Sequence, residues 1–280
     1  MILKADASYL EWRIKVFLAQ DKVAMQEILD GAPIHDDNQK AFGLSTKIAA
    51  KTFLYRMIFA DAFGERGYNT PAYSYANDPE FMQTSSSIKF WEKVIEKFFE
   101  KYQGIKEHSI NLIRSAIETG RIESPSGRFY TYHQKAKWDG SLDWPRTEIL
   151  NHIVQGFSAD IISEARLILW HRLLKRGYPL DKVLLINTVH DDIEIDIDNN
   201  QDLCYNICME MRKAFQDTPK AVKKHYGCEL NVPMDASVKF GWTLYEPEMV
   251  KFNSETFNED WRKLNKWNFQ RKLEIKKFML

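Results

Sequence analysis

The sequence has 280 residues, 44% of them hydrophobic and 13% aromatic, enough apolar material for one large or two modest domains with a real core. Its 39 Lys and Arg balance 39 Asp and Glu, so the chain lacks the overall basic excess usual in nucleic-acid-binding proteins, and any positive surface must be segregated by face. Three cysteines are too few and too odd for a disulfide framework and suit a reducing compartment; no apolar run of about 18 residues exists for a transmembrane helix, and the N-terminus has no signal-peptide core.

Met1 to Ala5 is an apolar run interrupted only by Lys4, and it ends at Asp6. It reads as a central strand, with neighbours expected to be partly missing from the chain. Glu11 to Leu29 has helical spacing at Trp12, Val16, Ala19, Val23 and Ile28, and Gly31-Ala32-Pro33 stops it. Ser45 or Thr46 can cap a helix that runs to about Phe63. On that helix Lys47, Lys51, Tyr55 and Phe59 recur every four residues, which places two ammonium groups and two rings along one stripe. Such a stripe suits a ligand with phosphates at one end and a flat ring at the other; read plainly, it is an aromatic core face with solvated lysines.

Gly64 to Ser87 is turn-rich and reads as loop with short pieces. Ile88 to Thr119 reads as two helices broken near Gly104, with Trp91, Val94, Ile95, Phe98 and Phe99 apolar. A hairpin is expected over Ile122 to Tyr132, around Pro125 and Gly127, and a loop from Lys135 to Trp144. Thr147 to Arg176 is a long helix with Ile149, Ile153, Ile161, Ala165, Leu169 and Leu173 on its apolar face. Asn151 and Gln155 interrupt that face, and their amides need each other, the backbone or a ligand.

Lys182 to Asp198 carries two β-branched runs joined by a polar turn, which predicts a hairpin of buried strands. Asp191 and Asp192 fall at the turn. Two carboxylates there repel unless a cation lies between them, and hard divalent ions prefer such oxygens; the plain alternative is a solvated acidic turn. Asn200 to Phe215 reads as a helix. Cys204 and Cys208 share its face, but no His joins them at zinc-ligand spacing, so they are expected to pack in the core. Leu230 to Tyr245 looks like closing strand pieces. The tail from Lys251 is basic and aromatic, with eight Lys or Arg against four Asp or Glu, and with Trp261, Leu264 and Trp267. It suits docking on a partner chain or DNA, or packing on its own domain.

Four stretches, in order, resemble one family. DASYLEWR at Asp6–Arg13 resembles motif A of DNA polymerase family A, usually written DYSQIELR. KIAAKTFLYRMIFA at Lys47–Ala60 resembles motif B, its KTFLY core most like the phage branch. NHIVQGFSAD at Asn151–Asp160 is similar to the helix before motif C, NxPxQGxxAD, and VHDDI at Val189–Ile193 resembles motif C itself, VHDEI. The resemblance covers roughly residues 1–245. It implies an α+β fold: a palm of antiparallel sheet and helices over residues 1–35 and 146–250, helical fingers over 36–145, and a tail over 251–280, with thumb and exonuclease absent.

The same resemblance implies DNA synthesis from dNTPs on a primer 3′ end, with two Mg²⁺ ions for which Mn²⁺ can substitute. Asp6 and Asp191 would hold the metals, together with the main-chain carbonyl of Ala7. Lys51 would contact the phosphates and protonate pyrophosphate, and Lys47 would take the outer phosphate. Tyr55 would stack on sugar and base, with Phe59 also in the dNTP site. Glu11 would block a 2′-hydroxyl. His190, Asp192, Asn151 and Gln155 would lie against primer–template DNA. The implied partners are DNA, dNTPs and a second polypeptide carrying thumb and exonuclease, with no membrane; the implied place is the cytoplasm, that of an infected host if the gene is a phage's. Lys47 stands for the usual Arg, Phe59 for Tyr, Asp192 for Glu and Tyr9 for Gln, and Arg56 and Ala60 stand where Gly is frequent. These departures bear on speed and fidelity more than on reaction class. The competing readings are an inactive polymerase remnant, another nucleotidyl transferase of RNA polymerase or reverse transcriptase type, and a binding protein with acidic turns. Glu11 and the Lys51–Tyr55 pair favour the DNA polymerase reading.

Overall fold

The strand that begins the chain is the middle of its main sheet. The computed structural model describes residues 1–59 and 68–278, without the side chains of Phe269 and of residues 271–278. β1 (Ile2–Ala7) is followed by α1 (Leu10–Ala19) and α2 (Lys22–Leu29), where the spacing predicts one helix. Asp21 is the reason for the break. It caps α2 through a 2.9 Å bond from the Ala24 amide, and its other oxygen accepts from the amides of Gly104 and Ile105. A carboxylate so buried needs all three donors, and a helix interior offers none.

α3 (Ile34–Phe42) precedes α4 (Lys47–Phe59), the expected helix, which Thr46 caps by accepting from the Ala49 amide. Its expected extension to Phe63, with Ala60, lies outside the described residues, as does the expected loop up to residue 67. Beyond it, the stretch read as loop forms α5 (Asn69–Ala76) and α6 (Pro79–Met82), the latter capped by Asp78 with proline in its first turn. α7 (Ile88–Lys101) and α8 (Gln103–Thr119) break at Tyr102, two residues before the glycine. Gly104 serves close approach instead: a Cβ there would lie 2.9 Å from the Asp21 Cα. β2 (Arg121–Glu123) and β3 (Phe129–Thr131) make the expected hairpin. β4 (Lys135–Ala136) and β5 (Leu142–Asp143) pair within the stretch read as loop, ahead of α9 (Arg146–Arg176).

β6 (Val183–Val189) and β7 (Asp192–Ile197) form the acidic hairpin, followed by α10 (Gln201–Gln216), α11 (Thr218–Tyr226), β8 (Ala236–Gly241), β9 (Val250–Lys251) and α12 (Phe257–Phe278). The five-stranded sheet runs β6-β7-β1-β8-β9, and every pairing is antiparallel. Both neighbours of β1 thus come from this chain, which corrects the expectation that they are partly missing. β6 also departs from expectation. As an edge strand with one neighbour it leaves Leu184, Ile186 and Val189 exposed, at 46%, 41% and 41%. Cys204 and Cys208 are buried on α10, as core residues.

The chain divides into two compact units. One comprises Met1–Leu10, Ala159–His225 and Met234–Leu280; the other comprises Glu11–Ser158 and Tyr226–Pro233. The first holds the sheet. There α12 packs its opening turns on its own unit: Phe257, Trp261 and Leu264 are buried, and the Phe240 ring lies tilted 5.4 Å from Phe257 and stacked 6.2 Å from Trp261. The second unit is largely helical, around an aromatic core that includes Phe53, Tyr75, Trp91 and Phe98. Among the described residues no helix is long and apolar enough to cross a membrane.

Candidate active site

In the sheet unit, strand pairing gathers three acids. Asp6 is cross-strand partner of Asp192, and Asp191 occupies the two-residue turn just before it. The Ala7 amide donates to the Asp191 carbonyl at 3.1 Å, which ties the end of β1 to that turn. Carboxylate oxygens of Asp6, Asp191 and Asp192 come within 4.8 Å of one another, and all three residues are half-buried. Two of the three non-glycine residues with positive φ among those described lie beside them: His190 at 53° and Tyr9 at 55°. Each costs roughly 1–2 kcal/mol in an L-residue, a strain that persists where surrounding structure imposes it.

The electrostatics are those of crowded anions. Burial, then the charges of Asp191 and Asp192, push Asp6 up to about 6. Burial also raises Asp192, against the hydrogen bond and charge of Lys4. Lys4 donates to Asp192 Oδ2 at 2.7 Å and lies 3.0 Å from Glu246 Oε1. Burial works against its charge, and these two acids more than offset that, raising it well above the lysine range. The other Asp192 oxygen, Oδ1, is buried and has no hydrogen-bond partner among the described residues. An orphaned carboxylate oxygen beside two repelling acids is a donor set that fits a hard divalent cation.

In the helical unit, α4 sorts its faces. Ala49, Ala50, Phe53, Leu54, Met57 and Ile58 are buried, so the core face is the one opposite the Lys–Tyr–Phe stripe. The plain reading of that stripe as an aromatic core face therefore fails. Lys51, Thr52, Tyr55, Arg56, Phe59 and Thr147 line a cavity of about 530 Å³, a size suited to a small ligand. Lys47 is exposed and ion-paired with Asp36 at 2.7 Å. Arg56 is engaged structurally, paired with Asp78 at 2.7 Å and set over the Phe81 ring at 4.9 Å. His35 lies 6.3 Å from the Tyr55 ring; burial, then the charges of Lys51 and Lys47, hold it low.

The remaining expected residues fall as follows. Glu11 is half-buried on α1 and His190 is exposed at the hairpin turn. Asn151 is half-buried, and its Oδ1 is buried without a partner among the described residues. Gln155, one turn later, is exposed, so the two amides do not satisfy each other in a shared burial. Between them His152 stacks on Tyr130 at 5.6 Å and on Tyr132 at 5.8 Å. A Cβ on Gly156 would fall 1.6 Å from the Tyr130 hydroxyl, which explains the glycine after Gln155. Sequence reasoning missed Lys4, Glu246 and Asp36 as parts of these sites. Lys4 had a signal, since strand alternation puts it on the face of Asp6; Asp36 and Glu246 had none.

A model of DNA polymerase family A matches residues 1–246. DNA polymerase I of Streptococcus pneumoniae is 25% identical over 248 residues, covering 88% of this chain and 26% of that protein. The enzyme of that name from Mycobacterium leprae is 24% identical over 251 residues, covering 86% of this chain and 24% of its own length. The chain thus spans about a quarter of the length of these curated relatives. Among solved structures, the POL domain of Pol1 from M. smegmatis, in complex with DNA primer-template and dNTP, superposes with a TM-score of 0.66 at 18% identity. That match covers 86% of this chain and 39% of the other, and it is a likeness of fold.

Proposed function

The chain belongs to DNA polymerase family A, and from that membership we propose that it adds deoxynucleotides from dNTPs to a primer 3′ end under the direction of a template. The observation that carries this reading is the acid cluster at the end of β1 and the β6–β7 turn, with its buried orphan oxygen. Asp6 and Asp191, with the Ala7 carbonyl, would hold two Mg²⁺ ions, or Mn²⁺ in their place. Bound there, the ions would favour ionisation of the primer hydroxyl and neutralise charge on the leaving phosphates.

The chain's own groups do the rest. Lys51 would contact the triphosphate and protonate the departing pyrophosphate oxygen. Lys47 would leave Asp36 for the outer phosphate. Tyr55, with Phe59 beside it, would stack on the sugar and base, and Glu11 would fill the space of a 2′-hydroxyl. Asn151, Gln155 and His190 would position primer–template DNA, as hydrogen bonds to phosphate and groove edges do without specifying sequence, while Asp192, expected there too, would offer its orphan Oδ1 to the ions.

The reading includes a second polypeptide supplying thumb and exonuclease. The KTFLY core supports a phage source, and hence action in the cytoplasm of an infected bacterium. Primer extension with dNTPs and with rNTPs, by the chain alone and with co-purifying protein, tests all of this. Extension with dNTPs only, and mainly in the presence of the second protein, is the expected result; synthesis confined to rNTPs would refute it.

A further inference from the structure

We propose that Lys4 is a built-in counter-cation of the acid cluster, which occupies one oxygen of Asp192 and thereby weakens the cluster's hold on divalent ions. The inference rests on the reading of that cluster as a divalent-ion centre. Alternation along β1 puts Lys4 and Asp6 on one face of the sheet. From there the ammonium reaches Asp192 Oδ2 at 2.7 Å, with only 17% of the lysine side chain and 13% of the aspartate side chain exposed. Asp192 then has Oδ1 alone to offer an ion.

The lysine is also locked in place. Its cross-strand neighbour on β8 is Lys239, and like charges directly opposite are unfavourable. Glu246 resolves the conflict by bridging the two: its Oε1 lies 3.0 Å from Lys4 and its Oε2 accepts from Lys239. Asp192, Lys4, Glu246 and Lys239 thus form one alternating row of charge. Its cationic member nearest the acids repels an incoming cation, and Glu246 attenuates that repulsion.

A unit charge about 6 Å from a divalent ion changes its affinity by about tenfold even at the dielectric of water. Replacing Lys4 removes the repulsion and frees Oδ2, so binding tightens. Removing the charge of Glu246 leaves Lys4 less screened, so binding weakens. A general loss of structure weakens binding in both variants, and only the charge row gives opposite signs.

The test is Mn²⁺ binding to the full chain without nucleotide, read as free Mn²⁺ by electron paramagnetic resonance at fixed pH and ionic strength. Lys4→Met is expected to bind about tenfold tighter than the wild type, and Glu246→Gln a few-fold weaker. Lys4→Arg keeps the charge and stays within about twofold. A folded Lys4→Met that binds equally or more weakly overturns the proposal. If Lys4→Met does not fold, Glu246→Gln decides, and unchanged or tighter binding there overturns it. Asp191→Asn separates the two layers. Wild-type binding that is lost in Asp191→Asn, with Lys4→Met and Glu246→Gln unmoved, sinks the role of Lys4 alone; a wild type that binds no Mn²⁺ sinks the ion centre as well.

Discussion

Lys47 is held by Asp36, 2.7 Å away, on the exposed side of α4. Both side chains are well solvated, so the pair is worth about 0–1 kcal/mol, and a triphosphate competes for the ammonium easily. Asp36→Asn is expected to lower KM for dNTP by up to about fivefold, with kcat little changed. A KM that rises would show that Asp36 orients Lys47 for the phosphate.

Tyr55 lines the cavity on that helix with Lys51. A dNTP brings its own 3′-hydroxyl, whereas a dideoxynucleotide leaves a polar gap that the Tyr55 hydroxyl can fill. That bond is worth about 0.5–1.5 kcal/mol, and more where its loss orphans a buried group. The expectation is ready use of ddNTPs by the wild type, and a rise of about tenfold or more in the dNTP over ddNTP ratio of kcat/KM in Tyr55→Phe. A ratio already large and unmoved by the substitution would remove Tyr55 from the sugar.

Lys15 is fully buried on α1, and its ammonium donates to Ser109 Oγ at 2.8 Å. Burial pushes it from 10.5 down to about 7. Between those values the unfolded chain carries a proton that the folded chain lacks, so stability rises with pH; below pH 7 both carry it and the cost is constant. The slope is at most about 1.4 kcal/mol per pH unit. Ser109 donates to the Ile105 carbonyl in any case, so Lys15→Met orphans nothing. It should raise stability at pH 7 and abolish the gain seen between pH 7 and pH 9 in urea denaturation. An unchanged gain would assign the slope to other groups.

Gly156→Ala drives a methyl into the Tyr130 hydroxyl, 1.6 Å from the ideal Cβ. Overpacking of this kind costs roughly 1–3 kcal/mol. Tyr130→Phe removes the clashing atom, so the double variant should recover part of the loss. Simple additivity in urea midpoints would show that the clash is relieved by another route.

Periodicity made β1, the β6–β7 hairpin, α4 and α9 legible from the sequence, because each carries its apolar pattern within its own span. The break at Asp21 was not legible, because two of its donors lie on α8, more than eighty residues away. The central place of β1 was legible, but not that both of its neighbours belong to this chain, since the second, β8, arrives near the end of the sequence. The three acids could be read off their motifs. The Lys4–Asp192 contact could not, because it depends on the register between β1 and β7.

The most direct measurement is single-turnover primer extension by Asp191→Asn, on the chain together with any co-purifying protein, beside DNA binding by the same preparation. The account predicts a loss of extension of at least about a thousandfold, as fits removal of a metal ligand worth several kcal/mol, with DNA affinity within about threefold of wild type, since hydrogen bonds and phosphate contacts elsewhere carry binding. Extension at a near-normal rate would contradict it.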